Sequence, residues 1–139
     1  MAQPKRTTRR RAAVVVEVAL VMPLLLLLTL ALLEYGWAVI KIQQINSAAR
    51  EAARIGARAS ATDAQVSAAV SAIMSNANIG TYSLSTTPSS IMGVSRGSTI
   101  SARVEVNYSN IQLVALSSTP LLPFPMPTTL NSEFHMMKE

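Results

Sequence analysis

Two carboxylates lie in a long apolar run near the N-terminus, where charged side chains are unusual. Between Ala12 and Ile40 the charged side chains are those of Glu17 and Glu34. A carboxylate near the start of a membrane-spanning helix is costly in lipid unless it is paired or reaches water. We therefore expect Glu17 to pair with a positive charge, and this pair would determine how one apolar helix packs against another.

Little in the sequence points to catalysis or to a bound cofactor. The chain has one histidine, His135, and no cysteine, so no second nitrogen or sulfur ligand exists to complete a zinc-type site. No G-x-S-x-G elbow and no glycine-rich phosphate loop occurs. We predict that the protein is not an enzyme and takes no metal, cofactor or small-molecule substrate.

Positive charge is concentrated in a basic leader, residues 1–12. The net charge of +5 comes from 12 basic and 7 acidic side chains. Five of the basic ones precede Ala12, so the remainder of the chain is neutral and gives no reason to expect nucleic-acid binding. The positive-inside rule predicts a single-pass protein of the cell (inner) membrane, with a cytoplasmic N-terminus and an extracytoplasmic C-terminal part.

One long helix is predicted from the leader to the middle of the chain. Residues 13–40 are apolar and, as a helix, rise about 42 Å, which is enough to cross a bilayer. Residues 41–59 continue it as an amphipathic helix with a period of 3.6 residues. The predicted apolar stripe comprises Ile42, Ile45, Ala49, Ala52, Ile55 and Ala59. The predicted polar side comprises Lys41, Gln43, Gln44, Asn46, Arg50, Glu51, Arg54 and Arg58.

The arginine residues of that polar side are spaced to lie on one helix face. Arg50, Arg54 and Arg58 follow one another at intervals of four residues, and Glu51 is positioned to pair with Arg54. This face is either a contact surface or simply a solvated surface that faces lipid headgroups.

Residues 60–139 are predicted to form a small extracytoplasmic α+β domain. Thr62 and Gln65 have the spacing of a capping box for a second helix over 63–77. Beyond Gly80 the hydrophobic period changes to two, which predicts a short strand over 81–85, a clear strand over 100–108 and a weaker one over 130–136. The fold class is therefore α+β: a long transmembrane and then amphipathic helix, a second helix, and a small antiparallel sheet.

A proline-rich apolar segment follows the clear strand. Residues 111–127 contain Pro120, Pro123, Pro125 and Pro127, and closely spaced prolines cannot donate to a strand ladder. We predict an ordered loop or sheet edge that either covers one face of the sheet or contacts a partner.

Three stretches together resemble the TadE-like pilus-assembly proteins. The first runs from Arg9 to Glu17 and continues through Pro23-Leu24-Leu25-Leu26-Leu27-Leu28. Glu34-Tyr35-Gly36 looks like the Glu-aromatic-Gly signature of that family. Residues 46–54, Asn-Ser-Ala-Ala-Arg-Glu-Ala-Ala-Arg, are similar to its Asn-x-Ala-Ala-Arg-Glu-Gly-Ala-Arg stretch. The resemblance covers residues 9–58.

The resemblance implies a pilin-like fold and a role in a tight-adherence (Flp) type IV pilus used for adherence. By it, a prepilin peptidase would cut between Ala12 and Ala13, which makes Glu17 the fifth residue of the mature chain. The implied partners are the bilayer, the peptidase, other pilins and pseudopilins, and the inner-membrane assembly platform. The residues expected to make contacts on helix faces are Glu34, Tyr35, Arg50, Glu51 and Arg54.

Glu17 and Pro23 are the two residues of the apolar helix for which the sequence suggests a role in assembly. After the cut, the ammonium group of Ala13, or that of a neighbouring subunit, would pair with Glu17 and set subunit register. The alternative is that Glu17 sits at the headgroup boundary near a helix N-terminus, where negative charge is tolerated. Pro23 leaves the carbonyl of Ala19 without its donor, which predicts a kink or a locally looser helix.

Three functional hypotheses remain at this point. The first is a processed pseudopilin or minor pilin that takes part in pilus assembly. The second is a single-pass protein that is never cut and serves as a scaffold of the assembly or secretion platform. The third is a small binding domain on an unrelated anchor.

Overall fold

In the computed structural model, the described part of the chain is residues 6–113 and 127–139, with side chains described from residue 12. It contains two α-helices, three strands and one 3-10 turn. In chain order these are α1 (Arg6–Gly56), α2 (Asp63–Asn76), β1 (Ser83–Thr87), β2 (Thr99–Asn107), the 3-10 turn (Tyr108–Asn110) and β3 (Thr129–Met137). The predicted α+β class, with one long helix, a second helix and a small antiparallel sheet, is confirmed.

The first helix is continuous through the apolar run and ends earlier than predicted. It runs over 51 residues without interruption at Pro23. Its end at Gly56 is fixed by the C-terminus of the chain, because the Lys138 ammonium donates to the Gly56 carbonyl at 3.1 Å and the Glu139 amide donates to the Ala57 carbonyl at 2.8 Å. These two bonds satisfy carbonyls that a helix end leaves unpaired. The prediction that the helix continues to residue 59 was wrong, and Arg58 lies beyond it.

Small residues line the face of α1 that packs on the domain. The buried helix positions are spaced by three and four residues, which keeps them on one side of the helix. They are Ala31, Glu34, Ala38, Lys41, Ile45, Ala48, Ala49, Ala52, Ala53 and Gly56. Two assignments in the predicted stripe were wrong: Ile42 and Ala59 are exposed, whereas Lys41, placed on the polar side, is buried. The error at Lys41 arises because this residue was assigned to the polar side of the helix from its charge alone.

The second helix begins as predicted. The Thr62 side chain accepts from the Gln65 amide at 3.3 Å and the Gln65 side chain accepts from the Thr62 amide at 3.2 Å, which is the reciprocal capping box. Val66, Val70 and Met74 of α2 are buried. The helix ends at Asn76, with Ala77 as its C-cap, so the predicted end at residue 77 is one residue too long.

The three strands form one antiparallel sheet with β2 at its centre. Ser83 of β1 pairs with Glu105, and Thr129 of β3 pairs with Asn107. The first strand lies two residues later than predicted. Tyr108, predicted as the end of the central strand, instead begins the 3-10 turn and is buried. The inner face of β2, through Ile100, Ala102, Val104 and Val106, packs together with α1 and α2 in one core.

The chain direction places the two ends of the domain at different levels of α1. Ile100, at the start of β2, lies near Gly56, since a Cβ built on that glycine would be 3.5 Å from its Cγ2. Tyr108, just after the end of β2, contacts Glu34. The central strand therefore runs antiparallel to α1, and the 3-10 turn lies at the end of the domain nearer to the apolar half of the helix.

Two predicted segments fall partly outside the described residues. These are the basic leader before residue 6 and the proline-rich segment over 114–126. Among the described residues, one helix is long and apolar enough to cross a membrane, from Ala12 to Gly56. The most apolar stretch of 18 residues within it has no buried residue.

Candidate functional site

Glu17 lies on a part of α1 that the domain does not cover. Its side chain is exposed, as are those of Ala12 and Ala13. Glu17, Val18, Val21, Met22 and Leu25 line a shallow groove of about 280 Å³ along the helix surface. No hydrogen bond or ion pair to Glu17 is formed by residues 12–113 or 127–139. This surface presents one carboxylate within an apolar strip, open to lipid or to another helix.

Pro23 stands one turn and a half beyond Glu17 on the uninterrupted helix. Proline cannot donate to the Ala19 carbonyl, so this part of the helix lacks one backbone hydrogen bond. Six residues after Pro23, the Thr29 hydroxyl donates to the Leu25 carbonyl at 2.8 Å, which satisfies that polar side chain within the helix itself. The local loosening at Pro23 stays a prediction.

Glu34, in contrast, is buried under the domain. The Tyr108 hydroxyl and the Leu113 amide, the latter at 3.2 Å, both donate to its Oε1. Burial, together with the hydrogen bond to Glu34, raises the pKa of Tyr108 well above its usual range. The neighbouring Tyr35 is 42% exposed. Glu34 and Tyr35 were grouped by sequence, and the structure buries the first and leaves the second exposed.

Trp37 and Lys41 continue the contact that Glu34 begins. The Trp37 indole donates to the Ile111 carbonyl at 2.7 Å, and the Lys41 ammonium donates to the Ala77 carbonyl at 2.5 Å. The same ammonium lies 4.6 Å from the centre of the Trp37 ring, and burial lowers the pKa of Lys41. We call Glu34, Trp37 and Lys41 the polar clamp. All three donate or accept across the junction between α1 and the domain.

Sequence reasoning missed the polar clamp as a unit, although a signal for it exists. Glu34 and Lys41 are seven residues apart, and both lie in the same three-and-four spacing as the buried Ala38 and Ile45. That spacing places all four side chains on one helix face. What the sequence does not show is which domain atoms would satisfy the two charges, because Tyr108 and Ala77 are distant along the chain.

The arginine face carries the ion pair that its spacing predicts. Arg54 donates to both carboxylate oxygens of Glu51, at 2.8 and 2.6 Å. The hydrogen bond from Arg54 is the main cause that lowers the pKa of Glu51. Arg58 lies past the end of the helix, and its charge also lowers the pKa of Glu51.

Arg50 links the same face to the last strand. Its guanidinium lies 4.7 Å from the centre of the Phe134 ring, a cation–π contact. Helix α1 and strand β3 border a groove of about 500 Å³ here, lined by Ser47, Arg50, Glu51, Ala53, Arg54, Phe134, His135 and Met136. His135 is exposed and lies 3.7 Å from a Glu133 oxygen. Within residues 12–113 and 127–139, no group of three histidine or acidic side chains could hold a metal ion.

These features define a class of protein: a helix that is apolar and exposed over its first half and carries a small α+β domain on its second half. Within that class, the family model described as TadE-like protein matches residues 12–54. The matched stretch contains Glu17, the polar clamp and the Glu51–Arg54 pair, and it confirms the resemblance found in the sequence. No curated protein and no solved structure matches the chain.

Proposed function

We propose that this protein is a pseudopilin or minor pilin of a tight-adherence (Flp) type IV pilus, the system that the TadE-like match suggests. A prepilin peptidase would remove residues 1–12, and the mature chain would enter or prime a fibre used for adherence. The observation that carries the proposal is the position of Glu17. It lies four residues after Ala13, within the matched stretch, on the exposed half of α1.

The exposed half of α1 supports an assembly role. Large apolar side chains from Val14 to Leu33 are mostly more than half exposed. In the membrane, lipid would cover them, and in a fibre the helices of neighbouring subunits would. Burial in such a bundle removes water and lipid from Glu17, so a positive partner becomes necessary. The ammonium group that cleavage creates at Ala13 is the nearest such partner, one helical turn away.

Orientation and partners follow from the same proposal. The leader would face the cytoplasm, where the assembly platform binds, and the domain would lie outside the inner membrane. Ala12 and Ala13 are small and exposed, which suits a chain that must enter the active site of a membrane peptidase. In the alternative, the uncleaved chain would use the same exposed helix as a fixed scaffold for the platform.

The direct test of the assembly role is the Glu17→Ala variant, produced in a strain that lacks the wild-type gene. We expect normal insertion and a folded domain but no pili by electron microscopy, because the unpaired ammonium would remain in an apolar bundle. Leu20→Ala is the matched control, since it truncates an exposed side chain one turn away without a change in charge. Normal piliation by Glu17→Ala would contradict the proposal.

A further inference from the structure

The polar clamp fixes the level at which the domain sits on α1. Buried positions of the helix begin at Ala31, and the first polar contacts are those of Glu34 with Tyr108 and Leu113. The end of the domain formed by residues 108–113 therefore lies beside residues 34–37 of the helix. This end cannot lie far from the helix while the Glu34 and Trp37 hydrogen bonds are intact.

The length of α1 that precedes the domain agrees with the thickness of the hydrocarbon core of a bilayer. At about 1.5 Å per residue, the segment from Ala13 to Leu33 spans about 31 Å, close to the roughly 30 Å of a hydrocarbon core. A span that continued to Ile40 would place about another 10 Å of helix in lipid. The 3-10 turn over Tyr108–Asn110 would then enter the hydrocarbon, where irregular backbone and exposed polar side chains are not tolerated.

The side chains at this level suit the headgroup layer. Tyr35 is 42% exposed and Leu113 is 50% exposed, while Trp37 is half-buried. Aromatic side chains with one polar group are enriched at this depth of membrane proteins. The two charges of the same region, on Glu34 and Lys41, face the domain and not the surroundings.

We propose that the end of the domain formed by residues 108–113 rests on the outer surface of the lipid bilayer. The hydrocarbon boundary on α1 then lies at Leu33–Glu34 rather than at Ile40, with Tyr35, Trp37 and Leu113 among the headgroups. The inference rests on the proposed membrane anchoring and adds the lipid surface as a partner of the domain itself.

The boundary also fixes the depth of Glu17. Sixteen residues separate it from Leu33, which is about 24 Å along the helix. In a hydrocarbon core of roughly 30 Å, Glu17 then lies about 6 Å from the cytoplasmic boundary. A carboxylate at that depth reaches the headgroups before assembly and loses them when the helix enters a fibre. The two interpretations of Glu17, at the headgroup boundary and in a charge pair between helices, then describe the protein before and after assembly.

The absence of cysteine makes the boundary measurable, because each introduced thiol is the one thiol of the chain. Single-cysteine variants at Leu28, Leu32, Val39 and Ile42 change side chains that are all exposed on α1. The full-length protein would be placed in phosphatidylethanolamine–phosphatidylglycerol nanodiscs, whose two surfaces are both accessible, and treated with a membrane-impermeant maleimide.

We expect Val39→Cys to react about as fast as Ile42→Cys, and Leu28→Cys and Leu32→Cys to react at least about tenfold more slowly, since thiols in hydrocarbon do not meet the reagent. Protection of Val39→Cys to the level of Leu28→Cys would place the boundary near Ile40 and overturn the proposal.

A second measurement tests contact between the domain and the lipid. A nitroxide on Leu113→Cys should show the accessibility to oxygen and to a water-soluble nickel reagent that is typical of the headgroup layer. A nitroxide on Ser67→Cys, exposed on α2, should behave as a water-exposed control. Equal, fully aqueous behaviour of both labels would overturn the docking. Neither measurement depends on pilus formation, so its failure is distinguishable from failure of the Glu17 test.

Discussion

The first half of α1, from Ala12 to Leu30, has no buried side chain, whereas nearly every turn from Ala31 to Gly56 has one. Leucine and valine dominate the first half, and alanine dominates the covered face of the second. Large side chains provide apolar area for lipid or for other helices, while small ones let a sheet approach closely. The two halves of one helix are therefore built for different partners: the first for other molecules, the second for the chain's own domain.

The two carboxylates show the same difference. Glu34 receives hydrogen bonds from Tyr108 and Leu113 within its own chain. Glu17 is exposed, and nothing in the described part of the chain pairs with it. A buried charge that its own domain satisfies contributes to a defined structure, whereas one that is left open requires a partner. Residue type alone does not separate these two glutamates, but their surroundings do.

The largest expected effect on stability is that of replacing Glu34 with leucine, and the same replacement at Glu17 is its control. Glu34→Leu leaves the Tyr108 hydroxyl and the Leu113 amide without their acceptor, at about 1–3 kcal/mol for each unsatisfied group. Glu17→Leu should leave the unfolding of the domain unchanged. Trp37, the single tryptophan, lies in the polar clamp, so its fluorescence during urea unfolding in detergent measures both variants. Equal midpoints for the two variants would remove the distinction between the halves.

A smaller effect is expected from adding bulk at the two helix glycines. A Cβ on Gly56 would lie 3.2 Å from Ile91 Cδ1, which is fully buried, whereas one on Gly36 meets no described atom within 4 Å. Gly56→Val should therefore lower the free energy of unfolding by about 1–3 kcal/mol through overpacking. Gly36→Val is the matched control, with no loss expected. A wild-type urea midpoint for Gly56→Val would show that the approach of helix and sheet is not tight.

The smallest effect is a difference in pH dependence. Burial raises the pKa of Tyr108, so the native state keeps a proton that the unfolded chain releases near pH 10. The stabilisation by this group is complete below pH 10 and is lost as the pH rises further. The lowered pKa of Lys41 acts in the opposite direction, but it is present in every variant compared.

Tyr108→Phe removes this titration together with one hydrogen bond, worth about 1 kcal/mol. Its urea midpoint should be lower than that of wild type at pH 8, with the gap narrowing between pH 10 and 11. Tyr35→Phe removes an exposed hydroxyl one residue from Glu34 and should keep the wild-type midpoint at pH 8, because the hydrogen bond from Tyr108 to Glu34 stays intact. A gap that stays constant with pH would contradict the assigned role of the Tyr108 proton.

Local signals were sufficient to predict most of the elements. The capping box of Thr62 and Gln65 is formed by residues three positions apart, so their spacing alone predicts it. The alternation of apolar and polar residues in β2 likewise predicts the central strand. The helix end was missed because the groups that complete it, Lys138 and Glu139, lie more than 80 residues away along the chain. Similarly, Glu51 and Arg54 could be paired from spacing alone, whereas the partners of Glu34 and Lys41 are set by tertiary packing.

The central claim is that the exposed half of α1 belongs to a processed pilin-like subunit. The most direct test is the intact mass of the membrane-extracted protein, expressed with and without a prepilin peptidase. The account predicts loss of residues 1–12 only when the peptidase is present, which leaves Ala13 as the new N-terminus. A full-length mass in both samples would contradict it and favour the uncleaved scaffold.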